Sequence, residues 1–289
     1  MPKAEEGVVG LIGCTPLVKL RKVAGGAPIF VKLEYMNPTG SHKDRVALYM
    51  IREAERRGLL EPGDLVVEAS SGNTALSVAW LASQLGYRAL IVVEEGVSPA
   101  KVALIRTLGA EVVFAPKVPW GHPDHAVKLA ERLAAERGGV FLNQFENEAN
   151  VKAHYETTGP EICRELGDSI SAFVMGIGTG GTIAGVAKFL RERGVRARIV
   201  GVVPRGSPIA TGQQTLGEPI EGLSTSLCVR NLHQVLEPCG RGGGGWLQGG
   251  LRDHAEAGEG GGSARRSLDR SKYRGRGQGG GSPWRRGSW

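Results

Sequence analysis

Six short β-rich runs alternate with longer helical patterns along residues 28–203, and this alternation constrains the fold more than any other feature. The predicted strands are residues 28–33, 64–68, 89–93, 110–114, 172–175 and 198–203. Apolar residues recur at helical spacing in 46–57, 75–85, 98–108, 125–137, 160–166 and 183–193. Apolar strands that alternate with helices predict an α/β fold with a mostly parallel sheet covered on both faces. Ligands of such folds bind at the carboxyl ends of the strands, so we expect the chemistry in the loops there.

Charge and cysteine content exclude several classes of protein. The last 50 residues carry 10 Lys/Arg and 4 Asp/Glu, which is nearly all of the net charge of +7, so nothing favours a basic body that binds nucleic acid. No apolar run approaches a membrane span, and the N-terminus does not resemble a signal peptide. The four cysteines lack metal-site spacing, which predicts no metal and no disulfide framework. We therefore expect a cytoplasmic protein.

Three loops that follow predicted strands stand out by composition. Residues 69–74 and 176–182 are polar, rich in small residues and end where a helix is predicted to begin. The free N–H groups and positive dipole of a helix N-terminus make such a turn an anion site. The third loop, residues 37–45, contains Ser41, which we expect to cap a helix that begins near Lys43.

The glycine loop allows two interpretations. Gly176, Gly178 and Gly181 have the G-x-G-x-x-G spacing of a dinucleotide site, which keeps an NAD-dependent oxidoreductase as an alternative. That site needs an acidic residue about 20 positions later, and none lies between Glu192 and Glu218. A Walker phosphate loop is excluded because no G-K-[ST] follows. Four glycines in residues 176–181 exceed what a turn requires, which favours a loop that holds one phosphate monoester.

Seven motifs together resemble the cysteine synthase and cystathionine β-synthase family of pyridoxal-phosphate (PLP) enzymes. They are 13–18 (GCTPLV), 32–34 (KLE), 37–45 (NPTGSHKDR), 70–74 (SSGNT), 143–147 (NQFEN), 154–161 (HYETTGPE) and 178–182 (GTGGT). The resemblance covers about residues 10–227. It implies the two-domain, fold-type II architecture: a larger PLP-binding domain of residues 1–44 and 145–227, a smaller mobile domain of residues 45–144, and PLP in the cleft.

The resemblance also implies a role for each site residue. Lys43 would bond to PLP as a Schiff base and act as the catalytic base, and we expect the helix dipole and Arg45 to disfavour its ammonium form. Asn73 would hydrogen-bond the PLP ring hydroxyl and border the substrate. The phosphate would be held by Gly178, Thr179, Gly180, Gly181 and Thr182. The substrate carboxylate would be bound by Ser70, Ser71, Gly72, Thr74 and Gln144.

The reaction implied is PLP-dependent β-replacement. A cysteine synthase converts O-acetylserine and sulfide into L-cysteine, whereas a cystathionine β-synthase joins serine and homocysteine, and the sequence does not separate the two. The resemblance further implies a homodimer whose substrates are a small amino acid and sulfide or a thiol.

The C-terminal residues depart from the family. Residues 228–289 do not match it, and 17 of the 45 glycines lie in residues 240–289. We expect this Gly/Arg-rich tail to be disordered or to result from a change of reading frame, which translation of the other two frames after codon 227 would test. No serine- or threonine-containing turn that could contact the pyridine nitrogen is recognisable. A truncated, inactive family member is therefore a further alternative.

Overall fold

The computed structural model describes residues 7–22 and 26–204, together with residues 207, 209, 222, 223 and 231. The strands are β1 Leu17–Lys19, β2 Phe30–Lys32, β3 Leu65–Ala69, β4 Arg88–Glu94, β5 Glu111–Ala115, β6 Val140–Phe141, β7 Ala172–Gly176 and β8 Arg198–Val202. The α-helices are α1 Lys43–Arg56, α2 Asn73–Leu85, α3 Pro99–Thr107, α4 Ala126–Glu136, α5 Glu148–Ala153, α6 Gly159–Leu166 and α7 Gly181–Glu192. All six predicted strands and all six predicted helices are confirmed, whereas β1, β6 and α5 were not predicted.

The strands of the described residues form three sheets. A four-stranded parallel sheet has the order β5-β4-β3-β6, β7 and β8 form a parallel pair, and β1 and β2 form an antiparallel pair. The predicted strand of residues 28–33 therefore lies outside the four-stranded parallel sheet and pairs antiparallel with β1. A three-residue strand that follows another closely in the chain can pair with it directly, and parallel pairing would have required a crossover.

The four-stranded sheet is covered on both faces because its buried strands alternate their apolar side chains. Val66 and Ile91 pack in one core cluster with α1 and α2, whereas Val67 and Leu90 pack in another with α4. Helix α1 supplies Val46, Ala47, Met50, Ile51 and Ala54, a helical spacing that places them on one buried face. Helices α1 and α2 pack on one face of the sheet and α4 on the other. This packing places the carboxyl ends of β3 and β6 beside the first residues of α1 and α2.

A second core lies between the β7-β8 sheet and helices α6 and α7. Ile162, Ile183, Leu190 and Ile199 belong to it. The helix that begins at Glu148 continues through a π-helical turn, His154–Thr158, into α6. Helix α7 packs against that turn.

Several sequence predictions lie outside the described residues. The tail from residue 232 onward is among these, and so is the stretch in which a contact to the pyridine nitrogen was sought. Among the described residues, no helix combines the length and apolar character needed to cross a membrane. The division into a larger and a smaller domain stays a prediction.

Candidate functional site

Lys43 is the first residue of α1 and lies half-buried. Its backbone N–H donates to Ser41 Oγ at 3.2 Å, as the sequence prediction expects, but the residue at the N-cap position of α1 is His42 and its side chain makes no capping bond. Burial lowers the pKa of the Lys43 amine to about 8, although the nearby Glu68 carboxylate acts to raise it. The amine therefore loses its proton far more readily than an exposed lysine, as a nucleophile or base requires.

The predicted effect of Arg45 on Lys43 is wrong. The buried Arg45 guanidinium donates to both Glu34 oxygens, at 2.8 and 2.9 Å, and to both Glu161 oxygens, at 2.6 and 2.8 Å. Two carboxylates thus compensate its charge. Burial lowers the Lys43 pKa and Glu68 opposes that decrease, whereas Arg45 is not among the groups that shift it.

The loop after β3 places the predicted carboxylate-binding residues beside the start of α2. Ser70 Oγ accepts from Gly72 N, and Ser71 Oγ accepts from Glu94 N, each at 3.2 Å. Asn73 is exposed at the first position of α2. Helix α2 follows Gly72, and no side chain of the described residues caps it. Its first N–H groups remain directed at the loop.

Gln144, in the segment that follows β6, contacts this loop. The buried Thr74 hydroxyl donates to Gln144 Oε1 at 2.7 Å, and Gln144 Nε2 donates to Ala69 O at 3.3 Å. Both side chains are almost fully buried. The structure therefore brings together residues that are 70 positions apart in the chain, as the family resemblance implied.

The loop of residues 176–182 connects β7 to the N-terminus of α7. Gly180 has φ +79°, a left-handed conformation that glycine adopts without strain, and no side chain of the described residues caps the helix. Close protein contacts explain the neighbouring glycines. A Cβ at Gly178 would lie 2.5 Å from Gly222 O, and one at Gly181 would lie 1.9 Å from Asn150 Oδ1. The number of glycines is thus not evidence for a ligand, whereas the uncapped helix end is the feature that suits a phosphate.

Asn150 connects Gln144, which contacts the loop of residues 69–74 (the substrate loop), to the glycine loop of residues 176–182. Its fully buried side-chain Nδ2 donates to Gln144 O at 2.8 Å and to Thr179 Oγ1 at 2.9 Å. Asn231 Nδ2 also bonds both segments, since it donates to Thr179 O at 2.9 Å and to Gln144 O at 3.3 Å. Two asparagine side chains that sequence analysis did not single out therefore hold Gln144 and the glycine loop together.

A second set of contacts brings His42, the chain neighbour of Lys43, near the glycine loop. The ring of His42 lies 5.6 Å from the ring of His154, measured between centroids. The Nε2 atom of His154 lies 3.1 Å from Thr182 Oγ1. The start of α1 thus lies near the glycine loop, and Gln144 connects the glycine loop to the substrate loop.

Glu68 is a site residue that sequence analysis missed. It is fully buried on β3, and its two oxygens accept from Ala69 N at 2.9 Å and Gln144 N at 3.3 Å. Burial raises the pKa of its carboxyl to about 8, although these hydrogen bonds and the Lys43 amine lower it. The sequence does hold a signal: Glu68 occupies the same face of β3 as Val66, where the alternation calls for an apolar side chain.

These residues fit the cofactor that the resemblance implies. A lysine amine with a lowered pKa suits a covalent bond to an aldehyde. The uncapped start of α7, flanked by the Thr179 and Thr182 hydroxyls, suits a phosphate monoester, and the uncapped start of α2 suits a carboxylate. The described residues thus include an amine for the aldehyde and a helix end for the phosphate of the cofactor, together with a helix end for the carboxylate of a substrate.

Comparison with known proteins agrees with the resemblance to PLP enzymes. Residues 8–237 match the family described as pyridoxal-phosphate dependent enzyme. The chain is 41% identical over 237 residues to a cysteine synthase of Staphylococcus aureus, covering 81% of this chain and 76% of that protein. It is 42% identical over 229 residues to cysteine synthase 1 of Neurospora crassa, covering 77% of this chain and 60% of that protein.

Solved structures share the fold. A crystal structure of O-ureido-L-serine synthase superposes with a TM-score of 0.72 at 34% identity, covering 77% of this chain and 70% of that one. A hydrogen sulfide-producing enzyme from Fusobacterium nucleatum superposes with a TM-score of 0.71 at 36% identity, covering 78% and 74% of the two chains. These similarities favour the PLP interpretation of the glycine loop over the dinucleotide one.

Proposed function

The chain belongs to the pyridoxal-phosphate dependent enzyme family, and on this premise we propose that it makes L-cysteine from O-acetylserine and sulfide. The observation that carries the proposal is a set of contacts that brings three parts of the chain together. Hydrogen bonds through Gln144 and Asn150 connect the substrate loop to the glycine loop. His154, which bonds Thr182 of the glycine loop, lies beside His42, the chain neighbour of Lys43. The lysine would supply the base, the substrate loop would bind the substrate carboxylate, and the glycine loop would bind the cofactor phosphate. We propose that these three parts form one site.

The glycine loop and Lys43 would hold the cofactor. The N–H groups at the start of α7 and the hydroxyls of Thr179 and Thr182 would bind the phosphoryl group, Lys43 would bond to the aldehyde carbon, and Asn73 would bond the ring hydroxyl. When bound, PLP withdraws electrons from the α-carbon of an amino acid and so stabilises negative charge there.

The substrate loop would bind the carboxylate of O-acetylserine at the start of α2. The Ser70 and Ser71 oxygens already accept backbone hydrogen bonds, so each hydroxyl hydrogen is free to be donated to a carboxylate. Gln144 Nε2 donates one of its two hydrogens to Ala69 O, which leaves the other for the substrate. Closure of this loop would exclude water during the reaction.

Lys43 would take the α-proton of the substrate. A pKa of about 8 leaves a useful fraction of the amine unprotonated near neutral pH. The acetate group then departs from the β-carbon, and sulfide takes its place.

The test begins with the purified protein and added PLP. We expect a visible absorption band, and borohydride reduction should fix the cofactor mass on the peptide that contains Lys43. Lys43→Ala should lose both signals, whereas Lys128→Ala, at an exposed lysine of α4, should keep them. Mass spectrometry should find cysteine from O-acetylserine and sulfide, and little cystathionine from serine and homocysteine. A colourless wild-type protein with excess PLP would contradict the proposal.

We further propose that the enzyme acts as a cytoplasmic homodimer, and that residues 45–144 form a smaller domain that moves relative to residues 1–44 and 145–227. Light scattering after size exclusion should give twice the chain mass of 30.6 kDa. Hydrogen exchange should slow in the substrate loop when O-acetylserine is added without sulfide. A monomer in solution would contradict the homodimer. Unchanged hydrogen exchange in the substrate loop would contradict the movement of the smaller domain.

A further inference from the structure

His154 lies at the start of the π-helical turn and is fully buried. Its Nδ1 atom is 2.9 Å from Thr158 Oγ1, one helical turn later, and its Nε2 atom is 3.1 Å from Thr182 Oγ1 in the first turn of α7. Both ring nitrogens therefore have a hydroxyl partner. The proposed reaction assigns no role to this histidine.

Proton counting along this chain of three side chains determines which group donates. A threonine hydroxyl has one hydrogen, and a phosphoryl oxygen only accepts. If Thr182 donates to the phosphoryl group, its oxygen must accept from His154, so that Nε2 carries the hydrogen. Burial holds the pKa of His154 well below its usual value, so the ring is neutral and has one N–H. Its Nδ1 atom is then bare and accepts from the Thr158 hydroxyl.

We propose that His154 is a positioning residue: its Nε2–H donates to Thr182 Oγ1, which directs the Thr182 hydrogen at the phosphoryl group of the cofactor, and Thr158 holds the ring in that tautomer. This inference rests on the proposed function, because it takes Thr182 as a phosphoryl ligand. The opposite tautomer would have Thr182 donate to His154, and the phosphoryl group would lose a donor.

The first measurement reads the tautomer in the unmodified protein. Long-range ¹H–¹⁵N NMR of histidine-labelled, PLP-bound protein distinguishes a protonated Nε2 from a protonated Nδ1. We expect His154 to carry its hydrogen on Nε2. A hydrogen on Nδ1 would overturn the proposal, and this result does not depend on any variant folding.

The second measurement separates positioning from general structural support. A Gln side chain places an amide N–H about where Nε2 lies, whereas Asn reaches only about as far as Nδ1. We expect His154→Asn to weaken PLP binding about tenfold or more, the scale of one hydrogen bond to a charged group, and His154→Gln to restore most of it. Binding of pyridoxal, which lacks the phosphoryl group, should change little in either variant.

Thr182→Val supplies the matched control. It should lose the same factor in PLP affinity as His154→Asn, and the double variant should lose little more, because both act through one hydroxyl. Equal losses for PLP and pyridoxal would overturn the positioning role while leaving the proposed function intact. A wild-type protein that binds neither molecule would overturn both.

Discussion

At position 43, burial and a buried carboxylate act in opposite directions on the pKa of one amine. Burial lowers that pKa to about 8, and Glu68 limits the decrease. In the protein without PLP, we expect acylation of Lys43 to rise with a midpoint near pH 8. Lys128 is the control, because its pKa is raised by the neighbouring Glu131. Peptide mass spectrometry over a pH series measures both midpoints, and equal midpoints would contradict this account.

Glu68 makes folding depend on pH. Its pKa in the folded protein is raised from 4.5 to about 8, so the stability that its protonated form contributes is complete below pH 4.5 and is lost as the pH rises to 8. Glu68→Gln removes this dependence. Relative to the variant, wild-type protein should lose on the order of 3 kcal/mol of unfolding free energy between pH 5 and 8.

Urea unfolding of both proteins without PLP, at several pH values, measures the difference. The substituted amide also alters the hydrogen bond from Gln144 N, but that offset is the same at every pH. A constant difference across the series would mean that Glu68 does not change protonation in this range.

Some site residues carry a signal in the sequence, and others acquire their role only through folding. Lys43, Gln144 and the residues of the two turns lie in motifs that can be recognised in order along the chain. His154 also lies in a motif, but its contact with Thr182 crosses 28 positions and has no local pattern. The effect of Arg45 was predicted wrongly because sequence adjacency to Lys43 did not reveal that Glu34 and Glu161 surround it.

Among the elements, helix α7 depends on glycines to reach the π-helical turn. A Cβ at Gly185 would lie 2.4 Å from Val151 O and 2.8 Å from His154 Cβ. A backbone oxygen cannot move without shifting its helix, so Gly185→Ala should destabilise the protein by about 1–3 kcal/mol even though alanine favours helix. It should also weaken PLP binding by displacing His154. Thermal melting measures the change in stability, and PLP titration measures the change in binding. An unchanged melting temperature would show that α7 can move away from α5 and the π-helical turn without cost.

Element prediction succeeded where the pattern was long enough to show a period. Helix α1 buries residues at helical spacing over about three turns, and strand β4 is apolar over most of its length, so both were found. Strands β1 and β6 have three and two residues, too few for any period. Strand β2 also has only three residues, but it lies in the longer β-rich run of residues 28–33 and was therefore found. Its pairing was not found, because a short apolar run does not encode parallel or antiparallel pairing.

At the scale of the whole molecule, one buried ionic network ties distant segments together. Arg45 on α1 bonds to Glu34 beside β2 and to Glu161 on α6, and its Nη2 also donates to Thr15 Oγ1 at 3.2 Å. Lys32 adds a second cation, 2.9 Å from Glu161. The network thus spans the boundary that we propose between the smaller and larger domains.

Removal of the Arg45 guanidinium would leave the negative charges of the Glu34 and Glu161 carboxylates without their main positive partner. We expect Arg45→Met to lower the unfolding free energy by about 3–5 kcal/mol, the cost of breaking a buried pair. Arg137→Met is the control, because its pair with Glu111 is exposed and worth about 1 kcal/mol or less. Urea unfolding at pH 7 measures both, and equal losses would show that the network does not stabilise the assembled chain.

The same network predicts an acid dependence. Burial raises the pKa of Glu161, but hydrogen bonds from Arg45 and Lys32 outweigh this and bring it to about 2. A lowered carboxyl pKa contributes stability that is complete above pH 4.5 and is lost as the pH falls through 2. The stability difference between wild type and Arg45→Met should therefore shrink below pH 4.5, because the variant lacks the main group that lowers this pKa. A difference that stays constant down to the acid unfolding transition would mean that Arg45 stabilises the fold by packing rather than by charge.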